Sequence, residues 1–257
     1  MDTMTLIIIQ ARMGSSRLPG KVLSNIAGDV LLKKIVVRLN PTAQTDSIII
    51  ATTTRFEDDA IEVFCQQNHI ACSRGSDWDV LDRFYQAAVS KGAKSGDTII
   101  RICADNPLHS HKVITLAMQR YLNLGLDYFS NSNEAPNFLE DGFDTEIFSF
   151  DALEYASKNA SLLSEREHVT PFIKNCGKFK VGWRKCDLRY NFKLSVDTTN
   201  DLKLVEKIFQ ELSHIPDFSI EEVTDLLLRK PELLKINQES AINSGYYKSL
   251  REDRKVL

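Results

Sequence analysis

The chain has 257 residues, with 32 Lys and Arg against 35 Asp and Glu for a formal net charge of -3. Hydrophobic residues at 43% and charged residues at 26% are the proportions of an ordinary globular chain, which argues against general disorder. The near balance of charge excludes a global basic field, so no nucleic-acid partner is expected and any polyanion must be held locally.

No apolar run approaches the length of a bilayer span, so no membrane partner is expected. The opening "MDTMTLIIIQ" lacks the basic region and long apolar stretch of a secretory signal, which makes a cytoplasmic setting the expectation. Five cysteines (Cys65, Cys72, Cys103, Cys176, Cys186) without a C-x-x-C pair indicate neither a disulfide framework nor a zinc knuckle.

Along the chain, short continuous apolar runs at 6–9 ("LIII"), 47–51 ("SIIIA"), 70–73 ("IACS") and 98–104 ("TIIRICA") suit strands buried on both faces. Between and after them, 30–39, 57–68, 79–92 and 111–125 carry apolar residues at three- and four-residue spacing, which predicts helices. Repeated strand and helix predict an α/β fold: a Rossmann-like, mostly parallel sheet with helices on both faces and ligands beyond the carboxyl ends of its strands.

After Asp127 the pattern changes. A polar connection leads to "FDTEIFSF" (143–150), which alternates like a strand, then to helical patterns at 153–160 and 165–176. "KFKVGW" (178–183) and "FKLSV" (192–196) read as strands, and helical segments at 200–212 and 219–236 follow, ahead of a charged end expected to fray. The expected organisation is a single domain over 1–257 with a small inserted lobe at about 130–192.

The loop after the first strand, "QARMGSSRLPGK", combines cations, serines and glycines at a strand's carboxyl end. Glycine lets a backbone approach an anion, amides point at phosphate oxygens, and cationic side chains balance the charge. Neither G-x-x-x-x-G-K-[ST] nor G-x-G-x-x-G is present, and on the residues alone a phosphate loop and a solvated turn both stand. Asp105 and Asp197 each follow a predicted strand, where on the residues alone a carboxylate reads first as a helix cap or turn and second as a ligand for a hard cation.

The set "QARMGSSRLPGK", "RGSDWDVLDRFYQA" (74–87), "RICADNPL" (101–108), "EREHVTPFI" (165–173), "SVDTTNDLKLVEKIF" (195–209) and "PELLKIN" (231–237), taken in this order, resembles the sugar-activating nucleotidyltransferases. It is most similar to cytidylyltransferases of the spore-coat polysaccharide SpsF type, related to CMP-sialate and CMP-Kdo synthetases, over nearly the whole chain. The resemblance implies transfer of CMP from CTP to an acidic sugar of the nonulosonic or ulosonic type, with release of pyrophosphate, for a surface polysaccharide. It also implies Mg²⁺ as cofactor, a sugar acceptor as partner, and a homodimer built through the inserted lobe.

Carried over residue by residue, the resemblance places Asp105 and Asp197 at the metal, with Arg12 and Lys21 neutralising phosphate charge. Ala11, Arg12, Met13, Gly14, Ser15, Ser16 and Lys21 become the nucleotide loop, with Met13 to Ser16 presenting amides. Arg74, Gly75 and Ser76 fall near the base, Arg83 is a further candidate facing the nucleotide, and Arg166 and His168 are candidates for the acceptor's carboxylate or hydroxyls. Ala104 departs from the glycine common in related enzymes. The same residues read structurally predict Asp79 as a helix cap and Ser164 with Glu167 as a capping box, with Trp78 as core ahead of a lid. Two other readings share these features: a glycosyltransferase using a nucleotide-sugar donor, and a noncatalytic nucleotide-binding module.

Overall fold

The computed structural model describes residues 3–40, 47–131, 141–183, 192–240 and 251–257. Its seven-stranded sheet begins with β1 (Thr5–Gln10), whose Leu6 to Ile9 are completely buried and divide alternately between the two faces. A short antiparallel pair, β2 (Asn25–Ile26) and β3 (Asp29–Val30), leads into α1 (Leu31–Leu39) and lies apart from the main sheet. The chain returns as β4 (Ser47–Thr53), α2 (Asp59–Gln67), β5 (Ala71–Gly75), α3 (Val80–Ser90), β6 (Thr98–Cys103) and α4 (His111–Leu124). These four strands are mutually parallel, in the order β5-β4-β1-β6.

The sheet continues with β7 (Tyr128–Ser130), β8 (Glu146–Ser149) and β9 (Val181–Trp183) in the order β6-β8-β7-β9. Only β8 runs against the rest, pairing antiparallel with both β6 and β7, while β9 is parallel to β7. Arg101 lies opposite Glu146 in that register, so the turn preceding β8 arrives at the edge where the loops after β1, β4 and β6 emerge. Within 130–192, the expected inserted lobe, β8 and β9 join the main sheet; 132–140 and 184–191 lie outside the described residues.

Helices cover both faces, as the periodicity predicts. One core joins Ile7, Ile9, Ile50, Ile100 and Ile102 to α1, α2, α4, α8 (Thr199–Glu211) and α9 (Ile220–Arg229). The other joins Leu6, Ile8, Ile49 and Ile99 to α3, α5 (Phe150–Asn159) and α7 (Pro171–Asn175). No helix among the described residues is long and apolar enough to cross a membrane.

Four local expectations are corrected. Residues 192–196 form no strand: Phe192, Leu194 and Val196 are buried, but among the described residues a backbone bond from Val196 N to Asp105 O at 2.7 Å takes the place of a ladder. The helical stretch 165–176 is broken into α6 (Leu163–His168) and α7 by Val169, whose φ of +71° is strained for a β-branched residue. There the N-cap is Leu162, with Glu165 receiving its amide, and Ser164 instead bonds Asp253. That bond, together with Leu163 N to Arg254 O and Val256 N to Ser161 O, docks the charged end that was expected to fray.

Candidate active site

The loop after β1 is shaped by its own hydrogen bonds before any ligand is considered. Met13 O accepts from Ser15 N at 2.8 Å and Gly20 N at 2.9 Å, and Ser15 Oγ receives Leu18 N at 3.3 Å. Ala11 is buried and bonds Ala51 O. Asp58, itself buried and bonded to Thr53 Oγ1, accepts Met13 N at 2.6 Å. The Met13 and Ser15 amides are thus engaged, which corrects the expectation that all of Met13 to Ser16 offer amides outward. The Gly14 and Ser16 amides find no acceptor among the described residues, and both residues are exposed.

Gly20 takes φ +72°, a left-handed turn that a side chain disfavours, and so directs Lys21 inward. There the Lys21 ammonium meets Asp105 Oδ2 at 3.1 Å, Asp197 Oδ1 at 3.0 Å and Val196 O at 2.7 Å. Two carboxylates 92 positions apart in the chain thus converge on one cation. Burial opposes charge on Lys21, yet the two aspartates raise its pKa above the ordinary lysine value.

Asp197 has two further cations, neither singled out from the sequence. Arg17 Nη2 reaches Oδ1 at 3.1 Å, and the buried Lys193 ammonium reaches Oδ2 at 3.1 Å while also bonding Ser195 O at 2.6 Å. Burial pushes the Asp197 carboxyl up, but Lys21 and Lys193 outweigh it and hold it at about 2. Below, Asp141 accepts Leu194 N at 2.5 Å and Ser195 N at 2.7 Å, and Asp201 accepts Asp197 N and Thr198 N while capping α8. Gly142, at φ +90°, makes this packing possible, because a Cβ there would lie 2.7 Å from that of Leu194.

The donor set fits a hard divalent cation such as Mg²⁺: two carboxylates from separate segments share one positive centre, beside a loop with outward amides and arginines. Among the described residues no group of three or more His, Cys, Asp or Glu is arranged to hold a metal, so protein ligands beyond this pair are not in view.

Arg12 is exposed and meets Asp77 at 3.6 Å; Asp77 also binds Arg55 Nε at 3.1 Å. Arg83 is buried behind this pair. Its guanidinium donates to the carbonyls of Ser76 and Asp77, its Nε has no partner among the described residues, and burial with Arg12 nearby lowers its pKa to about 10. Gly75 permits that approach, since a Cβ would lie 3.1 Å from Arg83 Cγ, while Ser76 Oγ accepts Asp79 N at 3.0 Å. Trp78, read as core, is 49% exposed.

Two candidate arginines are engaged by carboxylates of the scaffold. Arg74 binds Glu62 at 2.8 Å, Asp59 at 2.6 Å and the carbonyls of Thr53 and Arg55, so its charge is spent on α2 and the turn before it. Arg166 is buried against Asp79, the cap of α3, and donates to Ser157 O.

His168 lies within electrostatic reach of Arg101 and Glu146, and burial drives its pKa down to about 4 against the pull of Glu167. Glu146 accepts from Tyr128 and Thr170, each at 2.5 Å, and pairs with Arg101, which also donates to Gln10 at 3.1 Å. Burial pushes the Cys103 thiol up to about 12, which keeps it protonated near pH 7.

With this geometry in hand, the comparisons agree. The family model described as "Cytidylyltransferase" matches residues 6–247. The spore coat polysaccharide biosynthesis protein SpsF of Bacillus subtilis (strain 168) is 33% identical over 236 residues, 88% of this chain and 95% of its own. A 3-deoxy-manno-octulosonate cytidylyltransferase of Francisella tularensis is 26% identical over 213 residues, 79% of this chain and 83% of its own. The solved structure of a cytidylyltransferase from Leptospira borgpetersenii superposes with a TM-score of 0.82 at 27% identity, covering 94% of this chain and 99% of that one. A sheet of this topology, a cation-rich loop after its first strand and matches over nearly the full length together make the chain a member of the cytidylyltransferase family.

Proposed function

We propose that the protein transfers CMP from CTP to a hydroxyl of an acidic sugar of the nonulosonic or ulosonic type, for a surface polysaccharide. A sugar oxygen forms a bond to the α-phosphorus of CTP, the bond from that phosphorus to the bridging oxygen breaks, pyrophosphate leaves, and the hydroxyl proton passes to solvent. The observation that carries this reading is the convergence of Asp105 and Asp197 on Lys21, beside the exposed Arg12, Gly14, Ser16 and Arg17. The names of the SpsF and 3-deoxy-manno-octulosonate relatives support the polysaccharide setting and the sugar-acid acceptor.

In this reading the protein's work is positioning and charge neutralisation, with no nucleophilic side chain. The Gly14 and Ser16 amides and the Arg12 and Arg17 guanidiniums bind the triphosphate, and Lys21 neutralises its charge. Asp105 and Asp197 hold Mg²⁺, which when bound supplies a Lewis acid on the phosphate oxygens. Lys193, Asp141 and Asp201 keep Asp197 oriented from below. His168 stays neutral near pH 7 and offers the acceptor a hydrogen bond rather than a charge. Assembly as a homodimer belongs to the same proposal and is checked by light scattering.

The test is pyrophosphate release from CTP against a panel of sugar acids, neutral sugars and sugar phosphates, with and without Mg²⁺. Release that requires both Mg²⁺ and a sugar acid is expected, and Asp105→Asn and Asp197→Asn should each lower it by about 100-fold or more. Release at the wild-type rate in both variants, or with no sugar acid, would overturn the assignment.

A further inference from the structure

The Lys21 ammonium touches three oxygens, of Asp105, Asp197 and Val196, at 3.1, 3.0 and 2.7 Å. That is the environment a small cation seeks. A divalent ion bound to the same two carboxylates would lie within a few ångströms of Nζ, where like charges repel strongly in a partly buried site. The Lys21 side chain is 11% exposed, and its backbone is held by the turn at Gly20 and by Lys21 N to Leu18 O at 3.2 Å.

The other cations on Asp197 differ in how freely they can leave. Lys193, 6% exposed, is locked to Oδ2 and to Ser195, whereas Arg17, 42% exposed, reaches Oδ1 from solvent. Oδ1, the oxygen toward Asp105, is therefore covered by Lys21 and Arg17. Both belong to the loop that faces the triphosphate.

We propose that Lys21 is a built-in counter-cation: it excludes a free divalent ion from the Asp105 and Asp197 pair until a nucleoside triphosphate offers the ammonium another anion and brings the metal with it. The inference rests on the nucleotidyl-transfer reading of this site. Its consequence is an order of events, in which metal alone binds poorly and metal with nucleotide binds well. Lys21 then serves twice, once as gatekeeper of the carboxylates and once as a phosphate ligand.

The test counts free Mn²⁺ by electron paramagnetic resonance, without nucleotide, in the wild-type chain, in Lys21→Met and Lys21→Gln, and in each of these combined with Asp105→Asn and Asp197→Asn. Both single variants should bind one Mn²⁺ about tenfold or more tightly than wild type, and the combined variants should lose that gain. Equal or weaker binding in both single variants overturns the proposal. A measurement on the wild-type chain does not depend on the variants folding: Mg²⁺ alone should leave the melting temperature unchanged, while Mg²⁺ with CTP should raise it beyond CTP with chelator. A rise with Mg²⁺ alone equal to that with CTP overturns it too. Failure of every sugar to release pyrophosphate would sink the functional reading while leaving these metal measurements to stand or fall separately.

Discussion

Arg166 and Asp79, 87 positions apart, form a buried pair in which the guanidinium Nε lies 2.9 Å from both carboxylate oxygens and Nη2 lies 2.5 Å from one. Asp79 also caps α3 through Asp82 N at 2.9 Å, so one carboxylate joins the start of α3 to α6. Removing it leaves a buried, uncompensated guanidinium. Asp79→Ala should cost about 3–5 kcal/mol of stability by urea unfolding. A loss below about 1 kcal/mol would mean that the pair does not hold these helices together.

Two arginines with similar standing in the sequence should behave differently in kinetics. Arg12, exposed and paired only at 3.6 Å with Asp77 among the described residues, is available to phosphate. Arg12→Met should raise KM for CTP by about 10-fold or more, the worth of one charge-assisted hydrogen bond. Arg74→Met should leave KM within about twofold and cost about 1 kcal/mol of stability or less, because Asp59 and Glu62 already hold that guanidinium. Steady-state kinetics in a pyrophosphate assay separate the two, and a large KM effect at Arg74 would contradict its placement.

Acid should destabilise the site in a defined window. The Asp197 carboxyl, resisted by burial but drawn down by Lys21 and Lys193, titrates at about 2 in the fold, against an ordinary value of 3.8. Its folded pKa is depressed, so the stability it contributes is present above about pH 4 and lost as pH falls toward 2. The contribution is about 2 kcal/mol, comparing wild type with Asp197→Asn by urea unfolding at pH 7 and pH 3. A difference between the two proteins that does not shrink on acidification would show that the ion pairs do not stabilise the fold.

Gly142 should tolerate no side chain, whereas Gly14 should. At Gly142 a Cβ would meet Leu194 Cβ at 2.7 Å and its carbonyl carbon at 2.9 Å on a backbone with φ +90°. Gly142→Ala should cost about 2 kcal/mol or more and lower kcat, because Asp141 would lose its alignment on Leu194 and Ser195 and with it the support of Lys193. A Cβ added at Gly14 would meet nothing within 4 Å among the described residues, so Gly14→Ala should melt at the wild-type temperature. Equal melting temperatures for both variants would refute the close approach at 142.

The buried strands were legible because their residues point to two apolar faces: Leu6 to Ile9 and Ile99 to Ile102 need no partner to be identified as central. "FKLSV" misleads for the same reason. All five residues are buried, but the backbone is held by Asp141, Asn237 and a bond to Asp105, and among the described residues no strand pairs with it. Lys193 carries a faint signal, a lysine inside an apolar run four residues before Asp197, where i and i+4 pairing is possible in a bend as well as a helix. Val169 carries none, because only the packing around α6 and α7 forces a β-branched residue to positive φ.

The sequence by itself determined the layered α/β order and the cation-rich loop after the first strand, because periodicity and local composition are properties of neighbours along the chain, while the ordered set of motifs, through its family resemblance, pointed to the two aspartates. Only the tertiary structure decided which charges meet. It turned Arg74 and Arg166 to carboxylates of the scaffold and brought Lys21, Arg17 and Lys193 around Asp197. Coulomb attraction acts through space and takes no account of sequence separation, so a partner tens of positions away leaves no mark on the residues beside it.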